Sequence, residues 1–367
     1  MKKYWVIAII VLSIGKVYPL SDGINTGNIS VDMNLYGGIQ LYQPDFLGSL
    51  NLYNLSILVA TSPSTVFDYW HDSGIQDSTL SFSDSLTGLL GLYGSFNNSY
   101  SNLPPNVLVK TYISSWIGSS YVLLKYVVIN REVSNINALV GLEIVPQIDG
   151  IEGFDTVKYI DSSKDIDIYK HNHLGFRLLS GNLNSITSFE YFDGYENDSS
   201  YYKWMTHDTL DAQYNSGSDG PVTITAQNVQ SINPGDSIIV YYGMALGASF
   251  AEVNSGLDSA LGRYNGTLVT GIKENESFSP LNYKLNQNYP NPFNPTTTIS
   301  FSIPVQEKVS LKVYNILGME VSTLLNEVQT AGNYYIRFDP KNLSSGIYFY
   351  ELKTGNFRDI RKMILLK

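Results

Sequence analysis

The chain has 367 residues, of which 43% are hydrophobic and 15% charged, with a formal net charge of −10 and no cysteine. This length predicts about two domains, and the missing cysteine excludes disulfides, thiol nucleophiles and zinc–thiolate sites. Residues 1–282 hold 27 acidic and 13 basic side chains, which disfavours nucleic acid and anionic membrane surfaces as partners.

Residues 1–21 predict a secretory signal peptide. Lys2 and Lys3 precede an apolar run, residues 4–14, that is too short for a comfortable membrane span. Small residues at Ser13 and Gly15 suit one cleavage position, and a cut near Ser21 suits another. An uncleaved anchor helix is the alternative. We therefore expect export and no transmembrane span in the mature chain.

Residues 25–270 predict a large antiparallel β-sandwich, the passenger domain. In residues 31–42, two alternating runs meet at Gly37 and Gly38, which predicts a hairpin with a two-residue turn. Further strand patterns are separated by Gly, Asn, Asp, Ser and Pro clusters. They occupy residues 50–60, 107–116, 119–130, 136–148, 175–181, 221–229 and 236–246.

One short helix is expected in the passenger. Ser249 and Glu252 have the spacing of a capping box, and the apolar residues that follow recur at helical spacing. These residues are Leu257, Ala260, Leu261 and Tyr264. The predicted helix ends near Gly262 or Gly266. The polar residues 271–282, with Pro280, predict a linker.

Residues 283–367 predict a small immunoglobulin-like β-sandwich as the C-terminal domain. It opens with the proline-rich run NQNYPNPFNPTTTISFSIP, residues 286–304, whose prolines suit a sheet edge because they lack amide donors. Alternating runs follow at residues 308–316, 320–325, 333–339, 346–353 and 359–367.

This C-terminal region resembles a known family. The motifs KLNQNYPNPFNPTTTISFSIP, VSLKVYNILGMEV, AGNYYIRFD, LSSGIYFYELK and KMILLK are similar, in order, to the type A C-terminal sorting domain of type IX (Por) secretion system cargo. The resemblance implies passage through the periplasm, recognition by the outer-membrane machinery, and release to the medium or attachment to surface glycolipid.

The resemblance also assigns sorting residues. They are the proline motif Asn288, Tyr289, Pro290, Asn291, Pro292, Phe293, Asn294 and Pro295, the turn glycines Gly318, Gly332 and Gly346, and the terminal residues Lys362, Met363, Leu365, Leu366 and Lys367. Ordinary sandwich positions without contact to the machinery are the alternative role for the glycines and for the terminal residues.

No catalytic residue is predicted. His171 and His173 would share a face in a strand and, with His207, could bind a metal, but no ligand spacing supports this. No G-x-S-x-G elbow occurs. Glu143 lies in an alternating strand, and acidic residues follow it in a loop, namely Asp149, Glu152 and Asp155. A glycosidase needs two such groups in one cleft.

Calcium is considered as a bound ion, although no cofactor is required. Asp161, Asp165 and Asp167 place oxygen ligands on a predicted loop, as do residues 193–198, without the spacing of an EF-hand.

Aromatic residues suggest a ligand platform. Trp204, Tyr201 and Tyr202, together with Trp70, are the candidates to stack on sugar rings. Trp116 lies in a predicted strand and is expected in the core.

The sequence therefore predicts an exported protein at the cell surface or in the medium. Its passenger is expected to be a non-catalytic binding or surface module, with polysaccharide as one ligand class. The alternatives are a secreted glycan-acting hydrolase and a structural surface component.

Overall fold

The computed structural model describes residues 22–84, 86–192, 194–270, 283–288, 291–330, 332–340 and 343–366. The predicted signal peptide and linker lie outside the described residues. Within them the chain is mainly β, as predicted, and no described helix is both long and apolar enough to cross a membrane.

The passenger contains eighteen described strands and two α-helices. The first nine strands are β1 (Asp22–Asn25), β2 (Ser30–Met33), β3 (Ile39–Gln43), β4 (Ser49–Ser62), β5 (Thr65–Phe67), β6 (Gly74–Asp84), β7 (Leu89–Asn97), β8 (Val107–Trp116) and β9 (Tyr121–Asn130). The next five are β10 (Ile136–Pro146), which is followed by a 3-10 turn (Ile148–Gly150), β11 (Thr156–Ile160), β12 (Asp165–Tyr169), β13 (His173–Leu178) and β14 (Leu183–Glu190). The remaining elements are α1 (Asp198–Met205), β15 (Gln213–Asn215), β16 (Pro221–Gln227), β17 (Gln230–Ile232), β18 (Ser237–Gly247) and α2 (Phe250–Thr270).

These strands form two antiparallel sheets. The first has the order β1-β2-β3-β4-β10-β16-β14, with β5 beside β4 and β17 beside β10, and the second has the order β15-β11-β12-β13-β18-β9-β8-β7-β6. Side chains from both sheets form one apolar cluster, which includes Leu55 and Leu142 of the first sheet and Val109 and Leu124 of the second. Two sheets that share a core in this way make the predicted sandwich.

The predicted hairpin is present, but its turn is longer than expected. β2 pairs with β3 from Ser30–Tyr42 to Met33–Ile39, so residues 34–38 form the connection. The Asn34 side chain accepts hydrogen bonds from the amides of Tyr36 and Gly38. Gly37 alone of the two glycines has a positive φ, +94°. An asparagine that bonds its own turn therefore replaces the expected two-residue glycine turn.

The start of α2 contains one half of the predicted capping box, and the Glu252 side chain binds the amide one residue before the predicted cap. The Glu252 amide donates to Ser249 Oγ (3.4 Å), and Glu252 Oε2 accepts from the Ala248 amide (3.0 Å). The predicted end was wrong, because α2 continues through Gly262 and Gly266 to Thr270. Both glycines lack close neighbours at their Cβ positions. They weaken the helix without stopping it.

The prediction of one helix was also wrong, because α1 is a second one. Asn197 caps it by accepting from the Ser200 amide at 3.0 Å. Tyr201 and Met205 are buried in an apolar cluster that also contains Leu58 of β4 and Ile224 of β16. α1 therefore covers part of the outer face of the first sheet.

The C-terminal domain has seven described strands. They are β19 (Lys284–Leu285), β20 (Thr297–Ile303), β21 (Glu307–Asn315), β22 (Glu320–Gln329), β23 (Gly332–Phe338), β24 (Gly346–Thr354) and β25 (Phe357–Leu365). β19, β20 and β23 form one sheet, and β22, β21, β24 and β25 form another. Ile299 and Phe301 of the first pack with Leu311 and Tyr350 of the second. The immunoglobulin-like assignment stays a prediction.

Candidate functional site

A buried carboxylate organises the outer face of the first sheet. Glu143 of β10 is fully buried and receives hydrogen bonds from five side chains. Its Oε1 accepts from the hydroxyls of Tyr195 (2.8 Å) and Tyr201 (2.7 Å), and its Oε2 accepts from Ser56 Oγ (2.9 Å), Trp70 Nε1 (2.9 Å) and Asn54 Nδ2 (3.4 Å).

The donors reach Glu143 from four parts of the chain. Ser56 of β4 pairs directly with Glu143 in the sheet. Tyr201 comes from α1, Tyr195 from the segment before it, and Trp70 from the loop after β5. Burial raises the pKa of Glu143, while the hydrogen bonds from Tyr201, Tyr195 and Ser56 oppose that rise. An acceptor shared by so many donors fixes the rings that carry them.

Beside Glu143 lies a narrow opening that we call the aromatic cleft. It is lined by Asn34, Gln40, Tyr53, Asn54, Tyr69 and Trp70. The rings of Tyr69 and Trp70 meet edge to face with centroids 4.9 Å apart. Asn34 Nδ2 donates to the Tyr69 hydroxyl at 2.7 Å, and Gln40 Nε2 donates to the Tyr53 carbonyl at 2.9 Å. The cleft thus combines half-buried aromatic rings with carboxamides.

The predicted aromatic platform is only partly assembled. Trp70 lies in the aromatic cleft. Tyr201 is linked to Trp70 through Glu143, which accepts a hydrogen bond from each of them. Tyr201 is fully buried, so the prediction that its ring faces a ligand is wrong. Trp204 is half-buried and stacks on Phe189 with centroids 4.0 Å apart. Tyr202 is half-buried on the same helix.

Trp116 lies on the second sheet. It is half-buried at the end of β8, not in the core as expected, and the Arg263 guanidinium lies 4.3 Å from its ring centre.

A second group of polar residues, the acidic loop cluster, lies where β10 leads to β11. It consists of Asp149, Asp155, Lys170, His171 and Asn172. Asp149 Oδ1 accepts from Asn172 Nδ2 at 2.5 Å, and Asp149 Oδ2 lies 3.3 Å from His171 Nδ1. Lys170 Nζ lies 4.0 Å from Asp155 Oδ1. In the β12–β13 turn, Lys170 thus contacts Asp155, and the next two residues contact Asp149.

Several atoms of this cluster lack hydrogen-bond partners. Both oxygens of Asp155, Asp149 Oδ2 and Lys170 Nζ are buried without one. Burial raises the pKa of Asp155 to about 7; Lys170 opposes the rise and Asp149 adds to it. A carboxyl group that titrates near neutral pH has the property required of a general acid.

The candidate calcium ligands are not brought together. Asp165 and Asp167 lie on β12 and not on a loop, so that part of the prediction was wrong. Asp165 pairs with Arg177, Asp167 with His173, and the exposed Asp161 with Lys164. Among the residues with described positions, no group of three or more His, Asp or Glu side chains could hold a metal ion.

The histidines are likewise dispersed. His171 contacts Asp149, and His173 contacts Asp167. His207 hydrogen-bonds to Thr209 at 2.8 Å through Nδ1. His71 contacts Asp68, whose hydrogen bond raises the pKa of His71. His171, His173 and His207 therefore contact three different partners, and among the described residues they belong to no group that could hold a metal ion.

In the C-terminal domain, the proline motif packs on the terminal strand. The buried Asn288 receives a hydrogen bond on its Oδ1 from Gln287, and its own amide donates to the Tyr350 hydroxyl. Phe293 is buried and forms a parallel bridge with Leu365. Met363 is buried beside Leu365, whereas Leu366 is 51% exposed.

The three predicted turn glycines differ in position. Gly318 has a φ of +74° in the β21–β22 turn. Gly332 and Gly346 instead begin β23 and β24. Tyr289, Pro290 and Lys367 lie outside the described residues.

Sequence reasoning missed most partners of Glu143 and the role of Lys170. One signal was available, because Glu143 is the single charged residue in the apolar run VGLEIV. A charge in such a strand requires buried donors. No pattern in the sequence indicates that Tyr195 and Ser56 are among those donors.

Comparison with known proteins identifies the C-terminal domain. Residues 287–366 match the family described as the secretion system C-terminal sorting domain. The chain is therefore type IX secretion cargo with a C-terminal sorting domain, exported to the cell surface or medium. No curated protein matches the chain.

Solved structures give a distant likeness. A bacterial glucoamylase complexed with acarbose has 12% identity and a TM-score of 0.49, over 68% of this chain and 36% of that one. A polysaccharide lyase has 9% identity and a TM-score of 0.37, over 94% and 47%. A putative aldose 1-epimerase from Klebsiella pneumoniae has 10% identity and a TM-score of 0.38, over 65% of this chain and 81% of that one. This chain spans about a third of the glucoamylase and half of the lyase. Such likeness specifies neither a ligand nor a reaction.

Proposed function

We propose that the passenger is a non-catalytic polysaccharide-binding module that type IX secretion delivers outside the cell. The observation that carries the proposal is the attachment of Trp70 to the buried Glu143 at the aromatic cleft. A ring held in place loses little conformational freedom when a ligand stacks on it.

The chemistry of the cleft supports a sugar ligand. Tyr69 and Trp70 provide half-buried aromatic rings, which attract the C–H faces of pyranose rings. Asn34, Gln40 and Asn54 provide carboxamides, which both donate and accept hydrogen bonds, as sugar hydroxyls require. The opening encloses only about 10 Å³, room for about one water molecule. We therefore expect a polysaccharide chain to lie across its mouth, against the half-buried rings of Tyr69 and Trp70.

The test is retention of the full-length secreted protein on insoluble and arrayed polysaccharides. We expect selective retention that Trp70→Ala weakens at least about tenfold, since stacking on one aromatic ring is worth roughly 1.5 kcal/mol. Trp116→Ala, a half-buried tryptophan on the other sheet, is the matched control and should bind normally. Retention should not change between calcium and chelator. Equal loss in both variants, or no retention on any polysaccharide, would overturn the proposal and favour a structural surface component.

The acidic loop cluster favours a second candidate, a glycan-acting hydrolase. Asp155, with its pKa raised to about 7, would be the acid, and Asp149 the second carboxylate. Because both oxygens of Asp155 are buried, this role requires the loops around it to open when a glycan binds. This candidate predicts that the protein releases reducing ends from a retained polysaccharide and that Asp155→Asn abolishes the release without affecting retention. Retention without any release supports the binding module.

A further inference from the structure

The terminal strand β25 lies at the edge of its sheet, and residues of the same domain cover part of its outer edge. β25 is the last strand of its sheet, and its one full neighbour is β24. On the opposite edge, the Phe293 amide donates to the Ile364 carbonyl, and the Leu366 amide donates to the Phe293 carbonyl, both at 2.9 Å. Phe293 thus forms a single parallel β-bridge with the outer edge of β25.

A side chain continues this pairing. Asn291 Oδ1 accepts from the Ile364 amide at 2.8 Å, and Asn291 Nδ2 donates to the Lys362 carbonyl at 3.3 Å. Gln287 Nε2 also donates to the Lys362 carbonyl, at 2.7 Å. A carboxamide carries one acceptor and one donor group, so Asn291 occupies the place of a backbone peptide group along this edge.

The prolines explain why a side chain is needed. Pro292 and Pro295 have no amide hydrogen, so their segment cannot form a continuous ladder with β25. An open edge, in contrast, pairs readily with other chains. The carboxamide closes the edge where the proline backbone cannot.

We infer that Asn291 is a positioning residue that latches the proline motif to the free edge of β25, and that the secretion machinery recognises the two in this latched form. The edge of β25 is occupied by three residues of the same chain, Gln287, Asn291 and Phe293. The inference rests on the sorting role of residues 287–366 and is independent of the polysaccharide proposal.

The experiment compares Asn291→Ala with Asn326→Ala, a matched change at an exposed asparagine of β22 in the same domain. Two quantities are measured on the full chain: hydrogen exchange at the Ile364 and Leu366 amides, and the fraction exported to the medium. For Asn291→Ala we expect exchange at Ile364 to rise about tenfold, since one hydrogen bond is lost, and export to fall several-fold. Asn326→Ala should change neither.

A second variant separates the latch from folding. Asn291→Asp retains an oxygen for the Ile364 amide and loses the donor to Lys362, so intermediate exchange and export are expected. Faster exchange with normal export would overturn the inference, because the latch would then be irrelevant to sorting. Reduced export with unchanged exchange would also overturn it, because Asn291 would act without holding the edge.

Discussion

Glu143 is the residue on which the outer face of the first sheet depends. Its carboxylate accepts from Ser56, Trp70, Tyr195 and Tyr201 within 3.0 Å. Glu143→Gln replaces one oxygen by an NH₂ group that meets donors, and a buried donor without an acceptor costs about 1–3 kcal/mol.

We therefore predict that Glu143→Gln lowers the free energy of unfolding by at least about 2 kcal/mol. Denaturant titration measures the loss. The control Glu152→Gln, at an exposed loop position, should lie within about 0.5 kcal/mol of the wild type. A wild-type stability for Glu143→Gln would mean that these donors are satisfied elsewhere.

The raised pKa of Asp155 leads us to expect that the free energy of unfolding depends on pH. Its pKa is raised from an ordinary value of 3.8 to about 7, so between these values the folded chain binds the proton that the unfolded chain has released. Stability from this group is full below about pH 4 and is lost as the pH rises to about 7. The loss amounts to a few kcal/mol at most, because one pKa unit equals about 1.4 kcal/mol and solvent screening reduces the effect.

Asp155→Asn should remove this part of the slope. The measurement is the free energy of unfolding at several pH values between 4 and 8, compared between the two proteins. The slope is the informative quantity, because the absolute stability also changes when Lys170 loses its partner. Parallel curves would show that Asp155 titrates normally.

At the scale of elements, Arg177 of β13 joins α2 to the second sheet. It contacts Asp165 of β12 through Nε (2.5 Å) and Nη2 (3.0 Å), and it contacts Asp258 and Asn254 of α2 at 2.7 and 3.1 Å. The Asp165 side chain is fully buried, whereas that of Asp258 is 60% exposed.

The two aspartates should therefore differ in importance. Asp165→Asn removes the buried one of the two carboxylates that contact the guanidinium and should cost about 3–5 kcal/mol. Asp258→Asn removes an exposed partner and should cost less than about 1 kcal/mol. Thermal and denaturant unfolding of both variants measure the difference. Equal losses would mean that the helix contact, not the buried pair, stabilises this region.

The elements also differ in how far the sequence predicts them. Long alternating strands such as β8 coincide with their predicted bounds, because period-two alternation reports burial on one face. The eight-residue α1 escapes prediction since it spans barely two turns and is stabilised by burying Tyr201 and Met205. β12 reads as an acidic turn because its aspartates are satisfied by Arg177 and His173 from the neighbouring strand.

At the scale of the whole molecule, export is predicted to depend on the C-terminal domain. Deletion of residues 283–367 should leave the passenger in the periplasm, because the sorting domain that matches residues 287–366 is then absent. Fractionation of cells and medium measures the outcome. A truncated chain that still reaches the medium would contradict a sorting role for this domain.

The sequence identifies this domain because several motifs occur in fixed order, whereas the passenger's candidate site depends on contacts between distant residues. Trp70 and Glu143 are 73 positions apart and meet through one hydrogen bond. No local pattern encodes such a meeting.

The polysaccharide proposal is tested most directly by titrating the secreted protein with a soluble oligosaccharide derived from the polysaccharide that retains it. We expect one site per chain and a dissociation constant that increases at least about tenfold in Trp70→Ala, with no change in Trp116→Ala. An unchanged constant in Trp70→Ala would contradict it, because the ligand would then bind elsewhere than the aromatic cleft.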